Sequence, residues 1–143
     1  ANPALDTILT EKGLVCQGEK ITLTAIADGR ALAGLEPQEI YSLFGNALDN
    51  AIEAVRGIDE PERRLISLNV HSAAGRCVIN IENSCDATPR FEDGLPVSTK
   101  GDPANHGFGT RSMRTIVERH GGVLTMGCDN GIFHVDALIP LSS

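Results

Sequence analysis

Residues 37–56 of the chain read PQEIYSLFGNALDNAIEAVR, and this stretch contains the strongest periodic pattern in the sequence. Its apolar residues are alternately three and one positions apart, and they are Ile40, Leu43, Phe44, Ala47, Leu48, Ala51, Ile52 and Val55. This spacing predicts a long amphipathic helix with one buried face. Pro37 suits the first turn of such a helix, and Gly57 suits its end.

One edge of this predicted helix carries polar side chains beside the apolar stripe. Asn46, Asn50 and Glu53 stand at positions i, i+4 and i+7, so they share a face. Asn is a mediocre helix former, and two amides at this border indicate the wall of a pocket. A solvated helix face is the alternative. An amide oxygen is a neutral hard ligand that suits Mg²⁺, an ion that keeps several waters and takes other ligands from phosphate.

Strand and helix patterns flank this helix on both sides. Between residues 84 and 105 the periodicity disappears, and a patternless stretch longer than about 15 residues is usually functional or disordered. Adjacent hairpins predict an α+β fold, a two-layer α/β sandwich whose mostly antiparallel sheet is covered on one face by helices. The other predicted elements are the end of a helix at 2–12, a strand at 21–26, strands at 66–70 and 77–81 joined by Ser72–Gly75, a helix after Gly109 that ends at Gly121, and strands at 123–128 and 132–139 joined through Asp129–Gly131.

Asn83 is a polar residue in an apolar pattern. It follows Cys77, Ile79 and Ile81 at period two, so it belongs to the apolar face of their strand. A polar group that points inward at the end of a strand needs a partner. One interpretation is an Asn that caps a local turn. The other is an amide whose carbonyl oxygen accepts a hydrogen bond from the exocyclic amine of a buried heterocycle.

A glycine-rich segment, His106-Gly-Phe-Gly-Thr110, stands at the predicted start of the next helix. Glycines let backbone N–H groups approach a ligand closely, and the N-terminus of a helix favours an anion. Lys100 and His106 flank the segment and add positive charge. A plain junction between a loop and a helix is the alternative. With the amide edge and Asn83, this segment describes one site for a metal, a base and phosphates.

The composition restricts the class of protein. The 143 residues include 12 Lys+Arg and 19 Asp+Glu, a net charge of -7 that argues against nucleic acid as the main partner. Aromatic residues make up 3% and Trp is absent, so a platform for stacking bases is not expected. No apolar run reaches the roughly 18 residues of a membrane span. The four cysteines have no CxxC spacing, so we expect reduced thiols rather than a zinc site.

These residues resemble the GHKL family of nucleotide-binding proteins, which includes histidine kinases, DNA gyrase, Hsp90 and MutL. Residues 43–54, LFGNALDNAIEA, are similar to the family's N box, and residues 107–110, GFGT, are similar to its G2 box. More narrowly, residues 2–12 and 45–54 resemble the peptide-pheromone, accessory-gene-regulator-like sensor histidine kinases of Gram-positive bacteria.

The resemblance implies a single ATP-binding catalytic domain with the Bergerat fold over residues 1–143. Asn50 matches the family's Mg²⁺-binding Asn, and Asn46 faces the metal and phosphates, so both are implied catalytic and metal-binding residues. Residues 84–106 match the ATP lid, and residues 1–12 match the end of a preceding linker or dimerisation helix. With ATP and Mg²⁺ as cofactors, the implied contacts are Asn46, Asn50, Glu53, Asn83, Lys100, His106, Gly107, Phe108, Gly109 and Thr110.

Two positions depart from the broader family pattern. The G1 box, DxGxG, is missing, because Asn83 replaces its Asp while Cys85 and Ala87 replace its glycines; the pheromone-kinase subgroup shares this loss. Asn46 stands where ATP-hydrolysing members carry a Glu that activates water. An amide has no basic lone pair for that role, which favours phosphoryl transfer to a protein acceptor over hydrolysis.

The leading hypothesis is the catalytic domain of a two-component sensor histidine kinase, which transfers the γ-phosphoryl group of ATP to a histidine. None of His71, His106, His120 and His134 lies in a helical phosphoacceptor pattern, so we expect the acceptor on a dimerisation helix upstream of Ala1. The expected partners are that helix and a response regulator, with no nucleic acid and no membrane contact by this domain. The expected location is the cytoplasmic part of a membrane-anchored protein. The alternatives are a non-kinase GHKL module like an anti-sigma factor, a domain that no longer binds ATP, and an interaction domain without a ligand.

Overall fold

A computed structural model describes residues 2–86, 91–96 and 103–141, with the side chains of the third range from residue 109 onward. Its helices are α1 (Pro3–Gly18), α2 (Pro37–Arg56) and α3 (Pro103–Arg119). Its strands are β1 (Thr22–Ala27), β2 (Leu65–Ala73), β3 (Arg76–Ser84), β4 (Phe91–Glu92), β5 (Leu95–Pro96), β6 (Val123–Asp129) and β7 (Ile132–Pro140). Short 3-10 helices cover Gly29–Leu32 and Pro61–Arg63.

The main sheet has five strands in the order β1-β2-β3-β7-β6, and only the β1–β2 pair is parallel. Two-residue turns close its hairpins at Ala74-Gly75 and Asn130-Gly131. All four turn residues have positive φ, between 51° and 77°, as the tight turns that match strand twist require. The predicted hairpins are therefore confirmed.

The helices cover one face of this sheet, and the aliphatic core lies between the two layers. Phe44 and Leu48 of α2 lie in this core with Leu68 of β2 and Met113 of α3. All four side chains are fully buried. The predicted α+β sandwich with a mostly antiparallel sheet is confirmed. Within the described ranges, no helix is both long and apolar enough to cross a membrane.

Helix α2 begins and ends at the predicted residues, Pro37 and Arg56. The Glu39 carboxylate accepts a hydrogen bond from the backbone N–H of Glu36 at 2.9 Å, which satisfies one of the free donors at the start of the helix. Every apolar residue of the predicted stripe is buried. The 3-1 spacing was therefore sufficient to place this element.

Helix α1 is longer than predicted, because it continues from Lys12 to Gly18. The Asn2 side chain caps it by accepting from the backbone N–H of Leu5 at 3.1 Å. Its inner side chains, Ala4, Leu5, Ile8 and Cys16, belong to the core of this domain. The segment after Lys12 gave no helical pattern, because its apolar residues Leu14 and Val15 are exposed and only Cys16 of the last turns is buried.

Helix α3 begins at Pro103 rather than after Gly109, so the predicted start of this helix is wrong. Proline is favoured at the first helical position, and neither glycine of the GFGT segment interrupts the helix. The stretch without a pattern also contains a hairpin, β4–β5, closed by Asp93-Gly94 with φ of 55° and 79°. Two-residue strands are too short to produce a detectable alternation.

Gly122 is the position where α3 returns to the sheet, and it leaves no room for a side chain. A Cβ there would collide with the carbonyl oxygen of Leu138 and lie 3.0 Å from Val117 Cγ1. We expect Gly122→Ala to lower the free energy of unfolding by about 1–3 kcal/mol through overpacking. Gly13→Ala is the matched control, since nothing lies within 4 Å of its Cβ. Urea denaturation of both variants checks this, and a Gly122 variant as stable as the parent would contradict it.

Candidate functional site

At Asn46, the polar edge of α2 faces the neighbouring helix α3. Asn46 and Asn50 are half-buried, whereas Glu53 is exposed at the end of the same edge. Asn46 Nδ2 donates to Ser42 Oγ at 3.4 Å, which turns its carbonyl oxygen toward α3. The Asn50 amide has no hydrogen-bond partner among the described residues. The Asn46 amide is therefore bonded within its own helix and lies against Gly109 of α3, whereas a ligand at Asn50 stays a prediction.

Gly109 is the point of closest approach between α3 and this edge. A Cβ placed on Gly109 would lie 3.3 Å from Asn46 Oδ1, closer than side chains normally approach. The glycine therefore lets the two helices pack closely beside the amides. Because α3 begins at Pro103, Gly107 and Gly109 lie inside the helix, so a helix start does not supply free N–H groups at these glycines. Their place beside nucleotide phosphates stays a prediction.

Asn83 lies on the inner face of the sheet, as the alternation predicts, and is 4% exposed. Its Nδ2 donates to the backbone carbonyl of Ser84 at 2.8 Å, whereas a turn-capping Asn accepts through its side-chain oxygen from a backbone N–H. Its carbonyl oxygen has no hydrogen-bond partner among the described residues. The bond to Ser84 holds the Asn83 amide in one orientation, and a contact of its carbonyl oxygen with a ligand stays a prediction.

An aromatic pair lies beside Asn83 and was not predicted from the sequence. Phe133 of β7 is the register partner of Asn83, and the ring of Phe91 stacks on it with centroids 6.2 Å apart and planes 11° apart. Phe133 continues the inner-face alternation of β7, so its burial was readable from the sequence. Its proximity to Asn83 depends on the register of two strands that are distant in the chain.

Arg114 of α3 attaches the β4–β5 hairpin to the helix layer and was also missed. Its Nη1 donates to Asp93 Oδ2 at 3.1 Å, and its Nη2 donates to the backbone carbonyl of Asp93. Arg114 is one of three arginines in α3, and its position in the sequence gives no signal that distinguishes this contact. The hairpin inside the predicted lid is thus held by the Arg114–Asp93 contact and by the Phe91–Phe133 stack.

The other predicted nucleotide contacts lie in or near the first half of α3. Lys100 lies outside the described residues. His106, Gly107 and Phe108 belong to α3, but only their backbone is described. Thr110 is 3% exposed, one position after Gly109. The structure thus brings Asn46 and Gly109 together and places Asn83 at the end of β3.

Asp49 is the carboxylate nearest in sequence to Asn50, and it is already engaged. Lys12 Nζ of α1 lies 2.7 Å from Asp49 Oδ1. This hydrogen bond outweighs the effect of burial and raises the pKa of Lys12 above its ordinary value. The ion pair links α1 to α2 one position before Asn50 and balances the charge of Asp49.

Comparison with known proteins identifies the family. A family model described as the GHKL domain matches residues 35–140, which include α2, β2, β3, α3, β6 and β7. The chain belongs to the GHKL domain family. The match includes Asn46, Asn50, Asn83 and Gly109, so the amide edge, the strand-end amide and the helix approach are parts of a GHKL domain.

Individual GHKL relatives are histidine kinases. The sensor histidine kinase DpiB of Escherichia coli strain K12 is 34% identical over 100 residues, which are 65% of this chain and 18% of DpiB. The catalytic domain of histidine kinase ThkA, in a nucleotide-free form, superposes with a TM-score of 0.72 at 18% identity and covers 97% of this chain and 91% of that domain. The Acinetobacter baumannii histidine kinase AdeS gives a TM-score of 0.67 at 10% identity, with coverage of 99% and 64%. The two structural likenesses show the shared fold.

The hydrogen bond of Asn83 predicts how an acidic residue would behave at this position. In Asn83→Asp, a buried carboxylate would face the Ser84 carbonyl without a donor, so we expect the free energy of unfolding to fall by about 1–3 kcal/mol at pH 7. Burial would raise the pKa of the new carboxyl, so the loss should shrink as pH falls toward 5. Asn83→Ala, which adds no charge, is the control. Urea denaturation of the parent and both variants at pH 7 and pH 5 measures these free energies. An Asn83→Asp variant as stable as the parent at pH 7 would contradict the prediction.

Proposed function

We propose that this GHKL domain is the ATP-binding catalytic domain of a sensor histidine kinase and transfers the γ-phosphoryl group of ATP to a histidine outside this chain. The observation that carries the proposal is the close approach of the Gly109 backbone to Asn46, which stands one turn before Asn50 on the same edge of α2. Similarity to the sensor histidine kinase DpiB supports a kinase over a non-kinase GHKL module. The chain spans 18% of DpiB, so the other parts of such a kinase would come from other domains.

The residues of the α2 edge fit a magnesium ion that arrives with nucleotide phosphates. Mg²⁺ usually binds one or two protein oxygens and completes its shell with water and phosphate. Asn50 offers a half-buried amide without a hydrogen-bond partner among the described residues, and Asn46 stands one turn before it. The ion would supply charge neutralisation for the transferred phosphoryl group. Asn50 is the proposed ligand, with Asn46 as its neighbour toward the phosphates.

The other residues bind and orient the nucleotide. The Asn83 carbonyl would accept a hydrogen bond from the adenine amine. Phe133, the register partner of Asn83, would lie beside the adenine ring. Gly109 and Thr110 would lie along the phosphates, and Lys100, His106, Gly107 and Phe108 belong to the same proposed contact set. Because Asn46 cannot take a proton from water, the site favours an imidazole acceptor over hydrolysis. In the transfer, the bond from phosphorus to the ADP oxygen breaks as the bond to the imidazole nitrogen forms.

The proposed partners follow from this reaction. The acceptor histidine would lie on dimerisation helices of the same kinase, and a response regulator would receive the phosphoryl group. Residues 84–106 would serve as the ATP lid, and α1, which begins at Pro3 behind the Asn2 cap, would follow the linker from the dimerisation helices. Residues 2–12 and 45–54 resemble peptide-pheromone sensor kinases, which supports a place in this quorum-sensing subgroup. In such a kinase this domain would lie in the cytoplasm.

Calorimetry and phosphorylation test the proposal together. We expect the chain to bind a non-hydrolysable ATP analogue more tightly with Mg²⁺ than with EDTA. Incubated alone with γ-labelled ATP it should incorporate no phosphate, whereas the full-length kinase should label its dimerisation helix. Absence of heat at millimolar nucleotide would overturn the binding function. Stable labelling of the isolated chain would overturn the external acceptor.

A further inference from the structure

Glu39, in the first turn of α2, is the only buried carboxylate among the described residues, at 7% exposure. A buried charge is costly unless it is paired and hydrogen-bonded. Neither the sequence pattern nor the proposed nucleotide contacts use this residue. Its partners therefore show what the charge does in the fold.

Two helices supply those partners. Glu39 Oε1 accepts from the backbone N–H of Glu36 at 2.9 Å, within α2. His120, which directly follows α3, places its Nε2 at 3.0 Å from Oε1 and 2.9 Å from Oε2. Arg119 Nη1 donates to Oε2 at 3.4 Å from a side chain that is 62% exposed. The carboxylate thus joins the start of α2 to the end of α3.

The carboxylate is ionised in this environment. Burial by itself raises the pKa of Glu39, but the Glu36 N–H, His120 and Arg119 outweigh it and hold the pKa below its ordinary value. The contact is therefore between a negative group and the donors of α3, in a site where such a contact is stronger than in water. It holds one end of the α2–α3 pair.

The other end of the same helix pair is the close approach of Gly109 to Asn46. Gly109 and His120 are eleven positions apart, which is about 16 Å along a helix. The two helices are thus held at two points, one beside the proposed phosphate site and one distant from it. A small tilt of α3 at the His120 end would change the distance between the Gly109 backbone and the Asn46 amide.

We propose that Glu39 and His120 are a positioning pair, which fixes α3 against α2 so that the Gly109 backbone and the Asn46 amide meet in the geometry that binds nucleotide. The effect on nucleotide rests on the proposed function, whereas the effect on Gly109 and Asn46 does not. Neither residue of the pair would touch the nucleotide itself.

A matched histidine elsewhere in the chain provides the control. His134 on the open face of the sheet has its Nδ1 2.7 Å from Asp136 Oδ2, and its side chain is 27% exposed compared with 26% for His120. It pairs with carboxylates as His120 does, but its partners, Asp136 on its own strand and Asp129 on β6 at 3.6 Å from Nε2, both belong to the sheet. His134→Ala therefore removes a similar contact without affecting the α2–α3 pair.

The experiment compares His120→Ala, His120→Gln, Glu39→Gln and His134→Ala with the parent chain, under conditions in which far-UV circular dichroism shows each to be folded. In ¹H–¹⁵N spectra without nucleotide, we expect the Gly109 amide and the Asn46 side-chain amide to shift in His120→Ala and Glu39→Gln only. We expect Mg²⁺–ATP-analogue affinity to fall about three- to tenfold in these two variants. His120→Gln keeps an N–H donor and should recover most of the affinity.

The outcomes separate the two proposals. Unchanged Gly109 and Asn46 resonances in the folded His120→Ala and Glu39→Gln variants would overturn the positioning role, whatever the nucleotide does. An equal loss of affinity in His134→Ala would overturn it as well, because the effect would then follow general stability. If the parent chain binds no nucleotide, the proposed function fails, while the resonance shifts still decide the positioning role.

Discussion

Asn50→Ala is expected to remove the Mg²⁺-dependent part of nucleotide binding and to leave the fold intact. The Asn50 side chain is half-buried, and it has no hydrogen-bond partner among the described residues, so its removal orphans no internal donor or acceptor. Alanine also has the higher helix propensity at this position in α2. The change should therefore affect the ligand and not the stability of the domain.

The size of the effect follows from the role of the amide. If Asn50 is the main protein ligand of the ion, its loss should weaken the Mg²⁺–nucleotide complex by about 10- to 100-fold, the range found when the support of a metal site is removed. Affinity measured in EDTA should be nearly the same in the variant and the parent. Titration calorimetry with an ATP analogue, with and without Mg²⁺, measures both quantities.

Asn69→Ala is a suitable control for this prediction. Asn69 is half-buried like Asn50, but it lies on β2, where its register partners are Ile26 and Asn80. We expect its nucleotide affinity to equal that of the parent chain. If Asn50→Ala binds Mg²⁺–nucleotide as tightly as Asn69→Ala does, the ion has been assigned to the wrong residue.

Phe44→Ala is expected to have the largest effect on stability. Phe44 is 0% exposed in the layer between α2 and the sheet, and it is among the largest fully buried side chains of the described core. Truncating a buried Phe to Ala typically costs about 3–5 kcal/mol, because the lost transfer free energy is added to the cost of a cavity. The total free energy of unfolding of a domain is only about 5–15 kcal/mol, so this one substitution removes a large part of it.

Chemical denaturation of Phe44→Ala and Phe44→Leu tests this expectation. Leu keeps most of the volume, so its cost should stay below about 1.5 kcal/mol. Saturating Mg²⁺–nucleotide should raise the unfolding midpoint of the Ala variant, since a ligand that binds only the folded state stabilises it by mass action. A midpoint for Phe44→Ala within error of the parent would show that this side chain is not central to the core.

The predicted and observed structures agree where one element determines the pattern. Helix α2 could be predicted to the residue, because its 3-1 spacing records which side faces the core. The inward direction of Asn83 could likewise be read from strand alternation, since period two leaves only two faces. The Asn130-Gly131 turn was predictable because the tight hairpin turn requires positive φ.

The prediction of α3 failed because local composition was given too much weight. Two glycines in the GFGT segment suggested a loop, yet the helix runs through them from Pro103 to Arg119, and at Gly109 it packs against Asn46 of α2. Tertiary contacts compensate for the roughly 1 kcal/mol that each interior glycine costs. The same packing uses Gly109 for close approach, a role that the sequence does not distinguish from flexibility.

The sequence by itself determined the layers of this domain, the α2 edge with its two amides, and the face of Asn83, because each depends on a period within one segment. Only the tertiary structure decided that Gly109 meets Asn46, that Phe133 lies beside Asn83, and that Glu39 holds His120. The members of these pairs are 63, 50 and 81 positions apart in the sequence, respectively. Such contacts depend on strand register and helix packing, which are set by the whole core at once and leave no periodic signal in either partner.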